Sequence, residues 1–272
     1  SDQDAADFYN DASASAEAAE ARVAEGFTAV KFDPAGQYAV YDGRMPDLEA
    51  LERSERFCRE IRAAVGDSAD MLFGTHGQFT ATGALRLAQR LEPYDPLWFE
   101  EPCPPDMPEE MAKVAAGTTI PVATGERLCS KFEFARVLDH SAAAILQPDL
   151  GRAGGILEGK KIAAMAETRY VQIAPHLYCG PIVAAANIQL AACIPNFLIL
   201  ESIGRMDGFH AELLKTPLRW EDGYILPLTA PGLGVELNDD VVAAHPWQGD
   251  RLHLEMGDAP HDPRRHGPFA GG

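Results

Sequence analysis

One recurring ending constrains this chain more than any other feature: a short apolar run that closes on an acidic residue or a histidine. Leu97-Trp98-Phe99 runs into Glu100-Glu101-Pro102, Pro121-Val122-Ala123 into Thr124-Gly125-Glu126, and Ile145-Leu146-Gln147-Pro148 into Asp149. Met71-Leu72-Phe73 leads likewise to Gly74-Thr75-His76, Val171-Gln172-Ile173-Ala174-Pro175 to His176, and Phe197-Leu198-Ile199-Leu200 to Glu201. Such runs read as strands buried on both faces, the mark of a parallel sheet covered by helices. Glu100 to Glu126 is 26 residues, Glu126 to Asp149 is 23, and Asp149 to His176 is 27. Each interval holds one strand and one helix, so the chain repeats a βα unit.

The intervening segments carry the helical period. Ser13 to Glu25 is rich in alanine, lacks a breaker and stops at Gly26, as a helix ended by a C′ glycine does. Leu51, Ser54, Cys58, Ile61 and Val65 share one face of a helix over 48–65, and Ala84, Leu87, Ala88 and Leu91 repeat that pattern. Helices are also expected over 109–116, 132–138, after Gly155 and over 182–192. Phe27 to Phe32 reads as a strand with Lys31 near its end. Seven strands alternating with helices imply a parallel α/β barrel, since βαβ crossovers join parallel neighbours. A doubly wound sheet is the competing architecture; the polar residue at each strand end favours the mouth of a (β/α)8 TIM-type barrel.

A helix precedes the first strand read here, so strand one of such a barrel is expected upstream of this chain. Residues 1–205 are assigned to the barrel and 206–256 to a segment with a hairpin arm at 220–226. Residues 257–272, rich in Pro, Gly and His, are expected to form a disordered tail. The loop 33–46, with Pro34, Gly36, Gly43 and Pro46, is of the kind that shapes pockets.

At 272 residues, 46% of them hydrophobic, the chain can bury one large core. Its formal charge of −18 and lack of a basic stripe argue against nucleic acid or an anionic membrane surface as partner. No apolar run is long enough for a membrane span. Five dispersed cysteines without a CxxC pair suit reduced thiols in a cytoplasmic protein.

Among the strand-end residues, Glu100 and Glu126 offer the hard oxygens that Mg²⁺ prefers, or else they pair with Lys or Arg and cap helices. Asp149 and His176, on consecutive strands, suit a carboxylate that fixes the tautomer of an imidazole base, or a structural histidine. His76 is a second acid–base candidate, a metal ligand or a loop histidine. Lys31 suits a substrate carboxylate or a base, or is an ordinary strand-end lysine, and Glu201 suits a hydrogen bond to substrate or simple closure of the barrel. Gly151-Arg152-Ala153-Gly154-Gly155 departs from GxGxxG and reads as an ordinary βα turn.

Val30-Lys31-Phe32, Phe99-Glu100-Glu101-Pro102, Thr124-Gly125-Glu126-Arg127, Gln147-Pro148-Asp149 with Gly154-Gly155, and Pro175-His176-Leu177 together resemble the mandelate racemase-like branch of the enolase superfamily, and within it the sugar-acid dehydratases. The resemblance covers nearly all of residues 1–240. It implies a modified (β/α)8 barrel with an N-terminal α+β capping domain, and neither the cap nor strand one is expected within this sequence. It further implies a homo-oligomer acting on a sugar acid, with Mg²⁺ as cofactor.

The implied chemistry is removal of the proton α to a carboxylate and loss of the β-hydroxyl, giving a 2-keto-3-deoxy acid. By position, Glu100 and Glu126 match metal ligands, His176 the base, and Asp149 its partner. His76 matches the residue that protonates the leaving hydroxyl, and Glu201 the residue that hydrogen-bonds the substrate carboxylate. Two positions depart from the pattern. Gly74 stands where the first metal-binding Asp is expected, and Asp33 where racemases carry a second lysine. A cycloisomerase of a sugar-acid lactone or anhydro sugar acid is the alternative enzyme, and a sugar-acid-binding barrel without turnover the alternative of another class.

Overall fold

The computed structural model describes residues 11–33 and 43–246. Most of the expected pocket loop (34–42) and the expected tail (257–272) lie outside the described residues. Helices α1 (Ala12–Ala24), α2 (Leu48–Val65), α3 (Ala81–Leu91), α4 (Pro108–Gly117), α5 (Lys131–Asp139), α6 (Gly155–Glu167) and α7 (Pro181–Ala191) alternate with strands. These are β1 (Ala29–Phe32), β2 (Asp70–Gly74), β3 (Trp98–Glu100), β4 (Val122–Thr124), β5 (Ile145–Leu146) and β6 (Gln172–Ile173). The sheet order is β1-β2-β3-β4-β5-β6, and the β1–β2, β2–β3, β3–β4 and β5–β6 ladders are all parallel. A doubly wound sheet reverses its strand order at a switch point. This order has no reversal, so the topology is that of the (β/α) barrel class.

The chain divides into two compact units, with the boundary inside β4. Residues up to Ala123 together with His140–Ala143 form the first; Thr124–Asp139 with Ala144 onward form the second.

In the first unit, Asp47 caps α2 by accepting the Ala50 N–H, and Thr80 caps α3 by accepting that of Gly83. Each cap satisfies a backbone donor that the first helical turn leaves orphaned. One face of α2 buries Leu51, Ser54, Phe57, Cys58, Ile61 and Val65. The small buried residues Ala16 and Ala19 of α1 join Val30, Ile61, Val65 and Met71 in one cluster. Deeper in this unit, Phe73 and Phe99 meet at a ring separation of 4.8 Å, so adjacent strands are locked face to face.

In the second unit, Leu177, Ala184, Ile188, Met206, Leu214 and Leu218 form the core. Helix α7 is apolar all round and begins with Pro181 at a position where the missing N–H is harmless. Its one buried polar side chain, Asn187, donates to the His176 carbonyl at 3.0 Å, tying the helix to the loop after β6. The expected hairpin arm forms from Trp220–Glu221 and Tyr224–Ile225, paired antiparallel.

One strand differs from expectation. The run ending at Glu201 makes a single parallel bridge, Ile173 to Phe197, rather than a ladder. The Asn196 amide donates to the Val171 carbonyl at 2.9 Å and so takes an acceptor that a longer ladder would use. The β4, β5 and β6 ladders also stop short of their functional residues. Glu126, Asp149 and His176 lie beyond the ends of β4, β5 and β6. Pro148 and Pro175 have no N–H with which to continue a ladder. At Gly125, φ is +144° and an added Cβ would lie 2.8 Å from the Gln147 nitrogen, so only glycine fits there.

Candidate active site

The first unit assembles Lys31, Asp33, His76 and Glu100. Parallel register sets their heights: Lys31 lies level with Leu72, Leu72 with Trp98, and Gly74 with Glu100. Side chains two apart on a strand share a face, so Trp98 and Glu100 point the same way. The Trp98 indole N–H donates to Glu100 Oε2 at 3.1 Å, and Lys31 Nζ lies 2.7 Å from Glu100 Oε1. The Glu100 side chain is 2% exposed and that of Lys31 23%. Such burial is tolerable for a carboxylate only when a cation and hydrogen bonds replace its water.

His76 stands on a tight turn. Its φ is +48°, and Gly77 follows at +73°; histidine is among the few side chains that enter this left-handed region at modest cost. The turn is pinned to the end of β3. The Thr75 hydroxyl donates to the Glu101 carbonyl at 2.9 Å, the Gly77 N–H donates to that same oxygen at 2.7 Å, and the Gln78 N–H closes on the Thr75 carbonyl. So held, His76 places Nδ1 3.1 Å from Asp33 Oδ2.

The second unit assembles Glu126, His176 and Glu201. His176 Nδ1 lies 2.7 Å from Glu201 Oε2 and 3.5 Å from Glu126 Oε2, with side-chain exposures of 13%, 18% and 11% respectively. Glu201 Oε2 also accepts the Leu177 N–H at 2.7 Å, so one carboxylate oxygen lies against both the imidazole and the backbone after it. The His176 N–H donates to the Pro148 carbonyl.

Asp149, expected behind the imidazole, turns instead to its own loop. Its Oδ1 accepts the Gly151 N–H at 2.8 Å, and Arg152 Nε lies 3.5 Å from Oδ2. A short Asp side chain satisfies the turn into α6 this way, as Asx turns do. Beside it the Cys179 thiol is raised above its ordinary value, first by burial and next by the Asp149 charge.

Sequence reading therefore left two pairings unseen: Glu201 against His176, and Asp33 against His76. The signal for the second was the β1–β2 register, since Phe32 level with Phe73 sets Asp33 at the height of Gly74, beside the His76 turn.

The donor set was weighed against a divalent ion. Gly74 contributes no side-chain oxygen, and Lys31 and Trp98 engage the two oxygens of Glu100. Among the described residues, no group of three or more His, Cys, Asp or Glu side chains converges as an ion would require. These residues do not compose a ready Mg²⁺ site; the Lys31 ammonium answers the Glu100 charge instead.

Residues 14–241 match the family model described as enolase C-terminal domain-like. The chain is 36% identical over 233 residues to the D-xylonate dehydratase of Haloferax volcanii, covering 85% of this chain and 57% of that protein. It is 44% identical over 206 residues to the D-galactonate dehydratase of Klebsiella pneumoniae, covering 74% and 54%. A solved structure of the mandelate racemase/muconate lactonizing enzyme type from Labrenzia alexandrii superposes with a TM-score of 0.90 at 68% identity, covering 92% of this chain and 64% of that one. The chain thus spans a little over half the length of the curated relatives it matches.

Proposed function

The chain belongs to the enolase C-terminal domain-like family, and from that premise we propose that it carries the catalytic portion of a sugar-acid dehydratase, a carbon–oxygen hydro-lyase. Relatives named D-xylonate and D-galactonate dehydratase support an aldonic acid as the substrate class. One observation carries the reading: the chain holds two separate imidazole–carboxylate pairs, His176 with Glu201 and His76 with Asp33. A β-elimination requires two proton transfers of opposite sense, one to a base and one from an acid.

In the proposed reaction, Nε2 of His176 takes the proton from the carbon α to the substrate carboxylate. The C–H electron pair passes into an enediolate of the substrate carboxylate, which either takes a proton back from solvent or collapses to the carbon–carbon double bond as the β-carbon–oxygen bond breaks. The leaving hydroxyl is protonated and departs as water, and the enol then tautomerises to the 2-keto-3-deoxy acid. Glu201 faces Nδ1 of His176 and stabilises the imidazolium that forms, while Asp149 orders the neighbouring loop. Lys31 supplies the ammonium for the substrate carboxylate.

Enolase superfamily members generally use Mg²⁺, and Glu100 and Glu126 are the carboxylates such an ion would take. Because the donor set does not suit one, no step here is routed through a metal. The five free thiols fit a reducing, cytoplasmic setting, and no helix of the described residues is long and apolar enough to cross a membrane. Assembly as a homo-oligomer accompanies the proposal.

The test uses the full-length protein in D₂O with a panel of aldonic and aldaric acids, followed by NMR. Exchange of the α-proton and appearance of a 2-keto acid are expected. Ring opening of a lactone without loss of water would replace the dehydratase with a cycloisomerase. Neither exchange nor keto acid with any substrate would leave a binding protein.

A further inference from the structure

We infer that Asn187 is a positioning residue for the proton transfer at His176: it pins the peptide between His176 and Leu177, and through that peptide keeps the Glu201 carboxylate against the imidazole. The inference deepens the dehydratase reading and rests on it for the identity of the step. Every residue it uses belongs to the second compact unit.

The geometry runs through one peptide group. The Asn187 amide donates to the His176 carbonyl at 3.0 Å, and the Leu177 N–H donates to Glu201 Oε2 at 2.7 Å. That carbonyl and that N–H belong to the same planar trans unit, in which they point in opposite directions. Rotation of the unit would take the N–H off Glu201 as it took the carbonyl off Asn187. Glu201 Oε2 is also the atom 2.7 Å from His176 Nδ1, so the same rotation would disturb the imidazole–carboxylate pair. On the preceding side, the His176 N–H donates to the Pro148 carbonyl at 3.2 Å. The backbone of His176 is thus held toward the end of β5 by its N–H and to α7 by its carbonyl.

The setting of Asn187 argues against a role confined to packing. Its side chain is 0% exposed, in a helix that also buries Ala184, Ala185, Ile188 and Leu190. Asparagine is a poorer helix former than leucine, and a buried amide costs stability wherever it is not hydrogen-bonded. Among the described residues no group donates to Asn187 Oδ1. Leucine has the same branched outline and suits an apolar helix better; what it lacks is the donor for His176.

An amide that merely tied α7 to a loop would also be lost on substitution, so the test must separate the two roles. Gln189 on the same helix provides the contrast, because its amide donates to the Leu228 and Leu233 carbonyls at 3.1 and 3.3 Å. In the full-length protein with aldonic acids in D₂O, Asn187→Leu is predicted to slow α-proton exchange and dehydration together, about 10- to 100-fold at saturation with KM within about twofold. Gln189→Leu is predicted to lower Tm while keeping kcat within about twofold of wild type. In the ligand-free protein, the ¹⁵N shift of His176 Nδ1 should change in Asn187→Leu and hold its wild-type value in Gln189→Leu.

Exchange within about twofold of wild type in Asn187→Leu, an unchanged His176 signal, or an equal fall in Gln189→Leu overturns the inference. Should Asn187→Leu fail to fold, Asn187→Ala carries the same readouts with the same expected results. Wild type that neither exchanges nor dehydrates any acid sinks the dehydratase reading instead, and the His176 signal still decides whether Asn187 positions the imidazole.

Discussion

Lys31→Met isolates the feature that most distinguishes this site, the ammonium that answers the Glu100 carboxylate. Removing one partner of a buried ion pair costs about 3–5 kcal/mol because the other charge is left uncompensated. Two features of the structure reduce that figure. Lys31 is 23% exposed, so water reaches part of the space it vacates, and the Trp98 N–H stays on Oε2. We expect a loss of about 2–3 kcal/mol, which for a chain of this length lowers Tm by roughly 4–6 °C.

Urea unfolding measures the loss, and a double-mutant cycle with Glu100→Gln assigns it to the pair. Glu100→Gln alone strands a lysine that can turn toward solvent and is expected to cost about 1 kcal/mol. In the double variant no charge is left buried, so the combined loss should fall short of the sum of the singles by at least about 1 kcal/mol. A coupling energy below about 0.3 kcal/mol would refute the argument that Lys31 neutralises Glu100.

Gly74→Asp restores the oxygen missing from the strand-end set. An added Cβ there meets nothing closer than Lys31 Cε at 3.8 Å, so the variant should fold and bind Mg²⁺ more tightly by calorimetry; unchanged affinity would count against the reading of the donor set. Glu92 is held below the ordinary carboxylate range by the Thr119 N–H and then the Thr118 hydroxyl. A depressed folded value stabilises above the unfolded pKa and is lost as pH falls through the folded one. Glu92→Gln should therefore flatten the decline of the urea midpoint below about pH 4.3, and an identical acid slope would contradict it. Among the thiols, exposed Cys129 and Cys193 should label quickly and Cys179 slowly. Cys103, pushed up to about 12 by burial, and Cys58, raised further by the same cause, should stay silent until the chain unfolds; native labelling of either, read by mass spectrometry, would show the core to be open.

The local pattern was sufficient where a residue's neighbours lie within a turn or two of it. The period of Leu51, Ser54, Cys58, Ile61 and Val65 marks a helix over 48–65, and the structure has α2 at Leu48–Val65. The uninterrupted apolar run at Met71–Phe73 marks a strand, and β2 spans Asp70–Gly74. The repeat of such runs at a βα interval was enough for the parallel class, because a crossover can join parallel neighbours in few ways. It also marked every charged side chain placed at a strand end, since a polar residue closing a buried run is conspicuous in one dimension.

Which of those side chains meet was decided in three dimensions. Asp33 and His76 are 43 residues apart, and their contact depends on the β1–β2 register and on a left-handed turn that no periodicity announces. His176 has acidic candidates at several strand ends. Glu201 takes Nδ1 because the chain past the Ile173–Phe197 bridge brings its carboxylate also to the Leu177 N–H, while Asp149 is drawn into its own turn. Lys31 and Trp98 both engage Glu100 because parallel pairing sets three strands at matched heights. Sequence by itself determined the elements and the chemistry available at their ends; the tertiary structure alone decided the pairs, because a pair depends on the registers of two strands and on hydrogen bonds far from either residue in the chain.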